Sequence, residues 1–223
     1  MQPIGIIHTP FNDKFAIPRQ PRLAPAARGV VELLPPFDEP LALAGLEQVS
    51  HVWLLFQFHA VPEKDSAQRL RVRPPRLGGN TKIGVFASRS THRPSGIGMS
   101  LVKLDAIDGS KLKVSGVDIL NGTPIIDIKP YIPFSDSAAD GYNHIAEDVP
   151  ERIAVSWNSA ALQQALAQGQ EVVELVEQCL AQDPKPAYQE PSPERRYAAR
   201  FWDLNISWHY LTAKHIEVLA VDS

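Results

Sequence analysis

Cysteine is almost absent from this sequence of 223 residues, with Cys179 the single example. An intramolecular disulfide is therefore excluded, and no cysteine cluster can hold zinc. The 7 histidines are scattered and form no HExxH pair, so we expect no metal site. No apolar run approaches the roughly 20 residues of a membrane-spanning helix. The first fifteen residues also lack the pattern of a signal peptide. We expect a cytoplasmic protein that binds neither metal nor membrane.

Charge of one sign does not dominate, since 22 Lys and Arg face 25 Asp and Glu, for a net charge of −3. Such a balance provides no global attraction to nucleic acid, so an RNA site would have to be a local basic patch. Three sequence motifs are also missing. The chain has no GxxxxGK[ST] phosphate loop, its SGIGMS segment does not give GxGxxG, and the GxSxG of many hydrolases is absent. These absences disfavour the common nucleotide-binding folds and leave a hydrolase as a weak alternative.

The first part of the chain alternates short apolar runs with turns that are rich in proline and glycine. The 20 prolines are poorly tolerated inside helices and central strands, which favours short strands over helices. No long amphipathic helix separates the runs, so parallel βαβ units are not expected. We predict a small closed or half-closed antiparallel sheet. Its strand candidates are IGIIH, VVELLP, HVWLLFQFH, Gly84–Ala87, Ser100–Leu104, Leu112–Ile119 and Ile125–Ile128. HVWLLFQFH suits a strand buried on both faces, and Pro40–Gln48 suits one short helix.

The pattern changes after about Phe134, where a polar and acidic stretch follows. Ile153–Trp157 is a predicted strand, and Asn158–Ala181 has the apolar spacing of a helix that Gly169 divides in two. Tyr197–Tyr210 and His215–Ala220 predict a terminal hairpin. We therefore predict a mainly β protein, with a barrel domain at 1–138 and a smaller α+β domain at 139–223.

Two linked segments between Ile83 and Tyr131 have the composition of a ligand site. They are IGVFASRSTHRPSGIGMS and NGTPIIDIKPY, which place glycines and charges inside strand-like sequence. Glycine lets a backbone approach a ligand closely, and short polar side chains orient the ligand. The alternative is that the segments are two polar hairpin turns.

Two basic clusters are candidates for contact with RNA. In an extended chain, alternate arginines of the first cluster project from one side, where their planar forks suit phosphate. The alternative is a solvated edge strand that charge protects from aggregation. The second cluster has interleaved aromatic residues, which suit RNA contact or the core of a hairpin. The arginines are Arg69, Arg71, Arg73 and Arg76 in the first cluster, and Arg195 and Arg196 in the second.

Several motifs in the same order along the chain resemble one family. They are PRQ at 18–20, VRPPRLGGN at 72–80, GVFASRSTHRP at 84–94, IGMS at 97–100, NGTPIIDIKPY at 121–131, AQDPKPAY at 181–188 and FWDLNISW at 201–208. This set resembles the TrmO family of S-adenosylmethionine-dependent tRNA (adenine-N6) methyltransferases. The resemblance implies an antiparallel β-barrel methyltransferase domain, a homodimer and a tRNA partner. The implied substrate is N6-threonylcarbamoyladenosine next to the anticodon of threonine tRNA.

The chain departs from the family pattern at two places. The family's RPNPIG is replaced by Arg93-Pro94-Ser95-Gly96-Ile97-Gly98, and its DGTP by Asn121-Gly122-Thr123-Pro124. The second change replaces a carboxylate with a neutral amide, which argues against a direct charge role there. A β-barrel module that binds S-adenosylmethionine or RNA without catalysis is the competing interpretation.

The resemblance implies a set of residues around S-adenosylmethionine: Pro18, Arg19, Gln20, His59, Ala60, Arg89, Met99, Asn121, Gly122, Thr123 and Pro124. Arg89 or Arg19 suits the methionine carboxylate. The acceptor nitrogen is a poor nucleophile while it carries its proton, so a positioned base would help, and Asp127 and Tyr131 are the candidates. Asp127 could instead pair with Lys129 or Arg93. Lys129 and Arg93 are also candidates to bind the carboxylate of the threonylcarbamoyl group.

Overall fold

The structure is a computed structural model that describes residues 2–61, 70–74, 81–186 and 188–223. The strands are β1 Gly5–His8, β2 Arg28–Leu33, β3 His51–Gln57, β4 Arg71–Val72, β5 Ile83–Gly84, β6 Ile97–Asp108, β7 Lys111–Ser115, β8 Thr123–Pro130, β9 Ala154–Trp157, β10 Tyr197–Phe201, β11 Leu204–Thr212 and β12 His215–Asp222. The helices are α1 Pro133–Asp136, α2 Ser159–Gln168 and α3 Gln170–Leu180.

Six strands close into an antiparallel barrel in the order β1-β2-β7-β6-β3-β8. Successive side chains of a strand point to opposite faces, so alternate apolar residues fill the interior. Ile7, Val52, Val102 and Ile125 are fully buried there. The predicted mainly β fold with an antiparallel barrel is confirmed.

Three local predictions in the barrel are wrong. β3 is not buried on both faces, because buried and partly exposed residues alternate along it. Pro40–Gln48 forms two 3-10 turns rather than one helix, since Gly45 between them has a φ of 94°. The predicted strand at Gly84–Ala87 is a 3-10 turn over Val85–Ala87 that follows the short β5. In the last two cases the apolar residues gave no information about where the chain turns.

The C-terminal part is a sheet of order β10-β11-β12-β9, with β9 parallel to β12. The α2 helix packs against β12, and the Asn158 side chain caps it by accepting a 2.7 Å hydrogen bond from the Ala161 amide. Gly169, with a φ of 138°, separates α2 from α3, which confirms the predicted break. The predicted hairpin is wrong in detail: the chain turns back at Trp202 and Asp203, so three antiparallel strands form.

The barrel and the C-terminal sheet share one apolar cluster. Phe11, just after β1, forms an isolated β-bridge with Phe201 at the end of β10, and their rings meet edge to face at 6.1 Å. The division into domains at residues 138 and 139 stays a prediction. Within the described residues, no helix has the length and apolar character needed to cross a membrane.

Candidate functional site

A cavity of about 690 Å³ opens at the end of the barrel where β3 ends and β6 and β8 begin. Four stretches of chain line it, within residues 14–21, 56–61, 88–100 and 118–123. Cavities that enclose small ligands and cofactors have about 300–1,000 Å³, mostly apolar walls and a few placed polar groups. The size and position of this cavity therefore suit a ligand as large as a nucleoside derivative.

One wall of the cavity belongs to a stretch between β1 and β2, residues 9–22, which we call the bridging segment. The C-terminal sheet supports this segment from behind: Phe15 stacks on Trp208 at 5.7 Å and an interplanar angle of 8°. The Asn12 side chain donates a 2.6 Å hydrogen bond to the Trp202 carbonyl. The described residues of the C-terminal part therefore hold this wall in place without lining the cavity themselves.

Asp183, in the loop after α3, provides a further contact between the bridging segment and the C-terminal part of the chain. Arg19 lines the cavity and donates a 2.9 Å hydrogen bond to the Asp183 carbonyl. The Asp183 carboxylate accepts from the Tyr210 hydroxyl at 2.8 Å and from Lys185 Nζ at 3.0 Å. Burial first, then the hydrogen bond and charge of Asp183, raise the pKa of Tyr210, so its hydroxyl stays a donor. These bonds fix the loop that holds Arg19.

The cavity is also lined by a carboxylate, Asp118, in the loop between β7 and β8. The hydroxyl of Ser100, which is only 2% exposed, donates a 2.5 Å hydrogen bond to Asp118 Oδ1. Burial raises the pKa of Asp118 from 3.8 to about 6, against the lowering effects of the Ser100 hydrogen bond, a backbone hydrogen bond and the charge of Arg89. Asp118 is therefore a positioned carboxylate that gains from a cationic neighbour.

The remaining charged side chains of the cavity are cationic. Arg89 donates a 2.7 Å hydrogen bond to Gln20 Oε1, and Arg93 donates a 3.0 Å hydrogen bond to the Ser88 carbonyl. Lys14 donates to the Ala60 carbonyl. Among the described residues that line the cavity, Asp118 is the single acidic side chain, whereas Lys14, Arg19, Arg89 and Arg93 are cations. The cavity thus combines an excess of positive charge with one placed negative charge.

Most of the residues that the resemblance implied for S-adenosylmethionine are brought together here. Those that line the cavity are Pro18, Arg19, Gln20, His59, Ala60, Arg89, Met99 and Thr123. They come from the bridging segment, the stretch after β3, the loop before β6, β6 itself and the start of β8. Their contacts with a cofactor stay predictions, since the cavity shows only that they share one space.

Three other implied residues do not line the cavity. The Asn121 amide donates a 2.8 Å hydrogen bond to Asn12 Oδ1 and accepts one of 3.0 Å from the Thr9 amide. It thereby ties the bridging segment to the turn before β8, in which Gly122 has a φ of 74°. Pro124 lies within β8, opposite Ile6. The structure assigns these residues supporting contacts, and a cofactor role for them stays a prediction.

The two candidate bases, Asp127 and Tyr131, do not line the cavity either. Asp127 Oδ2 forms a 2.9 Å ion pair with Lys129 Nζ, and the two side chains are 44% and 61% exposed. The Tyr131 ring contacts the ring of Trp53 edge to face at 6.2 Å. The ion pair expected as the alternative for Asp127 is therefore present, and catalysis by either residue stays a prediction.

Only some arginines of the two basic clusters lie within the described residues. Arg71 and Arg73 are exposed, and the Arg71 guanidinium donates a 3.1 Å hydrogen bond to the Lys82 carbonyl. Arg69 and Arg76 lie outside the described residues. Arg195 and Arg196 are exposed just before β10, while the aromatic residues Tyr197 and Phe201 are buried in the core, as the hairpin alternative expected. RNA contact by these arginines stays a prediction.

Sequence patterns did not point to Asp118, whereas Gly98 and Ser100 lie within IGVFASRSTHRPSGIGMS, one of the two segments predicted to form a ligand site. A Cβ on Gly98 would lie 2.4 Å from the Phe56 ring and 2.8 Å from the Phe58 ring, so the absent side chain leaves room for the aromatic wall. Asp118 was hidden inside the predicted strand Leu112–Ile119. One signal was present, because a lone aspartate in the apolar stretch VSGVDIL needs a reason to be buried.

The side chains of the cavity fit S-adenosylmethionine. That molecule has a cationic sulfonium, an α-ammonium and an α-carboxylate beside an adenosine. Asp118 offers a negative charge to the cationic groups of this molecule, and Arg89 offers a positive charge to its carboxylate. Phe56, Phe58 and Ile119 provide apolar surface for the remainder.

A closed antiparallel barrel with a cavity of mixed charge at one end defines a β-barrel protein that binds a polar small molecule. The chain belongs to the TrmO family. Residues 6–137 match the model described as tRNA-methyltransferase O N-terminal domain, and residues 150–223 match the TrmO C-terminal domain.

Two curated relatives and a solved structure are similar over nearly the whole chain. A Pseudomonas aeruginosa protein named "Putative S-adenosylmethionine-dependent methyltransferase RcsF" is 58% identical, covering 99% of this chain and 96% of the relative. An Escherichia coli tRNA (adenine(37)-N6)-methyltransferase is 42% identical, covering 98% and 96%. The crystal structure of TrmO from P. aeruginosa has a TM-score of 0.84 at 52% identity, covering 99% and 95%. The expected family and methyltransferase class are confirmed, and the first relative's name includes the expected cofactor.

Proposed function

We propose that this protein transfers a methyl group from S-adenosylmethionine to N6 of N6-threonylcarbamoyladenosine, at adenine 37 of threonine tRNA. One observation supports this most: the cavity at the barrel end, lined by residues of the N-terminal domain, has charges that fit the cofactor, and both family domains match. The name of the E. coli relative supports adenine 37 as the target. The threonylcarbamoyl group and the choice of threonine tRNA rest on the resemblance described above.

In this reaction the cofactor supplies a methyl group on a positively charged sulfur, and the protein chiefly aligns donor and acceptor and excludes water. The walls of the cavity perform these tasks, since the bridging segment is held by hydrogen bonds from both parts of the chain. Of the two candidates for the carboxylate of the threonylcarbamoyl group, Arg93 lines the cavity, whereas Lys129 pairs with Asp127 outside it. Arg93 is therefore the residue we assign to that carboxylate.

The tRNA would be held by the exposed arginines of the two basic clusters, Arg71, Arg73, Arg195 and Arg196. Arginine suits phosphate because its fork donates two parallel hydrogen bonds. A local basic surface is required because the chain as a whole has a net charge of −3.

The test is methyl incorporation from labelled S-adenosylmethionine into two preparations of threonine tRNA, one with and one without the threonylcarbamoyl group. We expect incorporation only into the modified tRNA. Equal incorporation into both would contradict the proposed substrate. Binding of the cofactor without incorporation into any RNA would instead support the non-catalytic module.

The role of Asp127 as a base is tested in the same assay. If Asp127 accepts the proton of N6, Asp127→Asn loses methylation and retains cofactor binding. Loss of both, or of neither, would leave Asp127 with the ion pair that the structure shows. Tyr131→Phe tests the second candidate in the same way.

We also propose that the protein is a homodimer and acts in the cytoplasm, as the resemblance implies. Exposed apolar side chains such as Phe86, at 78% exposure, are available for contact with a second copy. Sedimentation equilibrium of the whole chain, with and without tRNA, measures the oligomeric state. A single species with the mass of one chain would contradict the dimer.

A further inference from the structure

The charge of the cavity poses a physical problem for its proposed ligand. S-adenosylmethionine has a net positive charge, because its sulfonium and α-ammonium outweigh its α-carboxylate. The described cavity walls carry four cations, Lys14, Arg19, Arg89 and Arg93, against the single carboxylate of Asp118. Without Asp118, like charges would oppose the entry of such a ligand.

Asp118 is built to meet a cation. Its Oδ1 accepts the 2.5 Å hydrogen bond from the buried Ser100 hydroxyl, which helps to hold that oxygen in position. Among the described residues it forms no ion pair, and the charge of Arg89 acts on it without direct contact. A partly buried carboxylate that has hydrogen bonds but no ion pair is disfavoured in its charged form, so a cationic group of a ligand beside it would stabilise that form.

Arg89 is placed to complete the arrangement. Its guanidinium uses one nitrogen to bond Gln20 Oε1 at 2.7 Å, which orients the fork, and among the described residues its other N–H groups have no hydrogen-bond acceptor and can meet a ligand. Arg89 and Asp118 line the same cavity, separated rather than paired. Two opposite charges held apart in one cavity match the two charges of an α-amino acid.

We propose that Asp118 binds the α-ammonium of the methionine part of S-adenosylmethionine, while Arg89 binds its α-carboxylate. Ser100 is a positioning residue, because it acts on the ligand through Asp118. This assignment rests on the proposed function, since that function supplies the cofactor. It gives Asp118 a role in binding rather than in the transfer of a proton.

The test is isothermal calorimetry with three ligands on the whole chain. S-adenosylhomocysteine has the amino acid part with a neutral sulfur, 5′-methylthioadenosine lacks the amino acid part, and S-adenosylmethionine adds the sulfonium. Asp118→Asn should weaken S-adenosylhomocysteine roughly ten- to a hundredfold, as loss of one charge-assisted hydrogen bond does. The affinity for 5′-methylthioadenosine should change less than twofold.

The controls distinguish a direct contact between Asp118 and the ligand from an indirect effect of the substitution on the fold. Asp108→Asn makes the same chemical change on an exposed carboxylate at the other end of β6 and should alter no affinity. Ser100→Ala should weaken S-adenosylhomocysteine less than Asp118→Asn does, because the carboxylate remains but loses its support. Circular dichroism of each variant verifies the fold.

Several outcomes overturn the inference. If Asp118→Asn lost affinity equally for S-adenosylhomocysteine and 5′-methylthioadenosine, Asp118 would contact the adenosine part or would only maintain the shape of the cavity. A loss confined to S-adenosylmethionine would assign Asp118 to the sulfonium, and no loss would remove it from the site. If the natural chain binds neither S-adenosylmethionine nor S-adenosylhomocysteine, the proposed function fails as well. If binding behaves as expected but no tRNA is methylated, only the proposed function fails.

Discussion

Replacement of Asp118 by asparagine should stabilise the protein in the absence of ligand, and the gain should depend on pH. Burial raises the pKa of this carboxyl group from 3.8 to about 6. The folded state therefore holds the proton more tightly than the unfolded state does. As a result, the natural protein loses stability as pH rises from 3.8 to 6, and the loss is complete above that range. Asparagine cannot ionise, and its Oδ1 can still accept the Ser100 hydrogen bond.

The magnitude follows from the two pKa values. The difference is about 2 pKa units at about 1.4 kcal/mol each, so the variant should gain at most about 3 kcal/mol in free energy of unfolding at pH 8. At pH 5 the gain should be about half as large. Water in the open cavity solvates the carboxylate and reduces both figures.

The assay is urea denaturation of the natural chain and Asp118→Asn at several pH values, without ligand. His59 and the cavity cations are the same in both proteins, so the difference between the two curves reports on Asp118. A difference that does not vary between pH 5 and 8, or a variant that is less stable at pH 8, would refute the reasoning. Saturating S-adenosylhomocysteine should stabilise the natural chain more than it stabilises Asp118→Asn, because only the natural chain offers the ligand a carboxylate. The difference in free energy of unfolding between the two proteins should therefore become smaller.

Three further changes test other parts of the structure. Tyr210→Phe removes the hydroxyl that bonds Asp183 and should cost about 1 kcal/mol in the free energy of unfolding. No loss in urea denaturation would show that the bond is not stabilising. Gly98→Ala places a methyl group against two phenylalanine rings and should cost about 1–3 kcal/mol and weaken cofactor binding, measured by denaturation and calorimetry. Unchanged values would mean that the rings move freely. Arg71→Ala and Arg73→Ala should each weaken tRNA binding and reduce its salt slope by about 1, whereas Lys111→Ala at the other end of the barrel should not. An unchanged slope would leave these arginines as a solvated strand edge.

The sequence predicted the fold more accurately than it predicted the local geometry. Alternating apolar runs between turns were enough for the barrel strands, and Gly169 was enough for the break between the two C-terminal helices. The turn at Trp202 and Asp203 was not predictable, because the aromatic run FWDLNISW continues the pattern of a strand through the point where the chain reverses. A left-handed conformation, with a φ of 50° at Trp202, forms there in a residue that gives no turn signal.

The residues of the candidate site were also only partly predictable from the sequence. Motifs that are far apart in sequence, such as PRQ at 18–20 and GVFASRSTHRP at 84–94, indicated through the family resemblance residues that the structure places in one cavity. Asn121 has a motif as distinctive as these, yet its amide bonds other parts of the chain. Asp118 has no recognisable motif, because its role depends on Ser100, eighteen positions away and opposite it only after folding. Contacts across the barrel end cannot be read from spacing along the chain.

The support of the bridging segment by the C-terminal sheet makes the cavity sensitive to events outside the barrel. Phe15 stacks on the sheet, and Arg19 is bonded to the Asp183 loop, so a movement of that part of the chain would break or carry along both contacts. A tRNA that docks on the C-terminal part and displaces it would shift one wall of the cavity directly. The affinity for the methyl donor would then change when tRNA binds, and by thermodynamic reciprocity the donor would change the affinity for tRNA by the same factor.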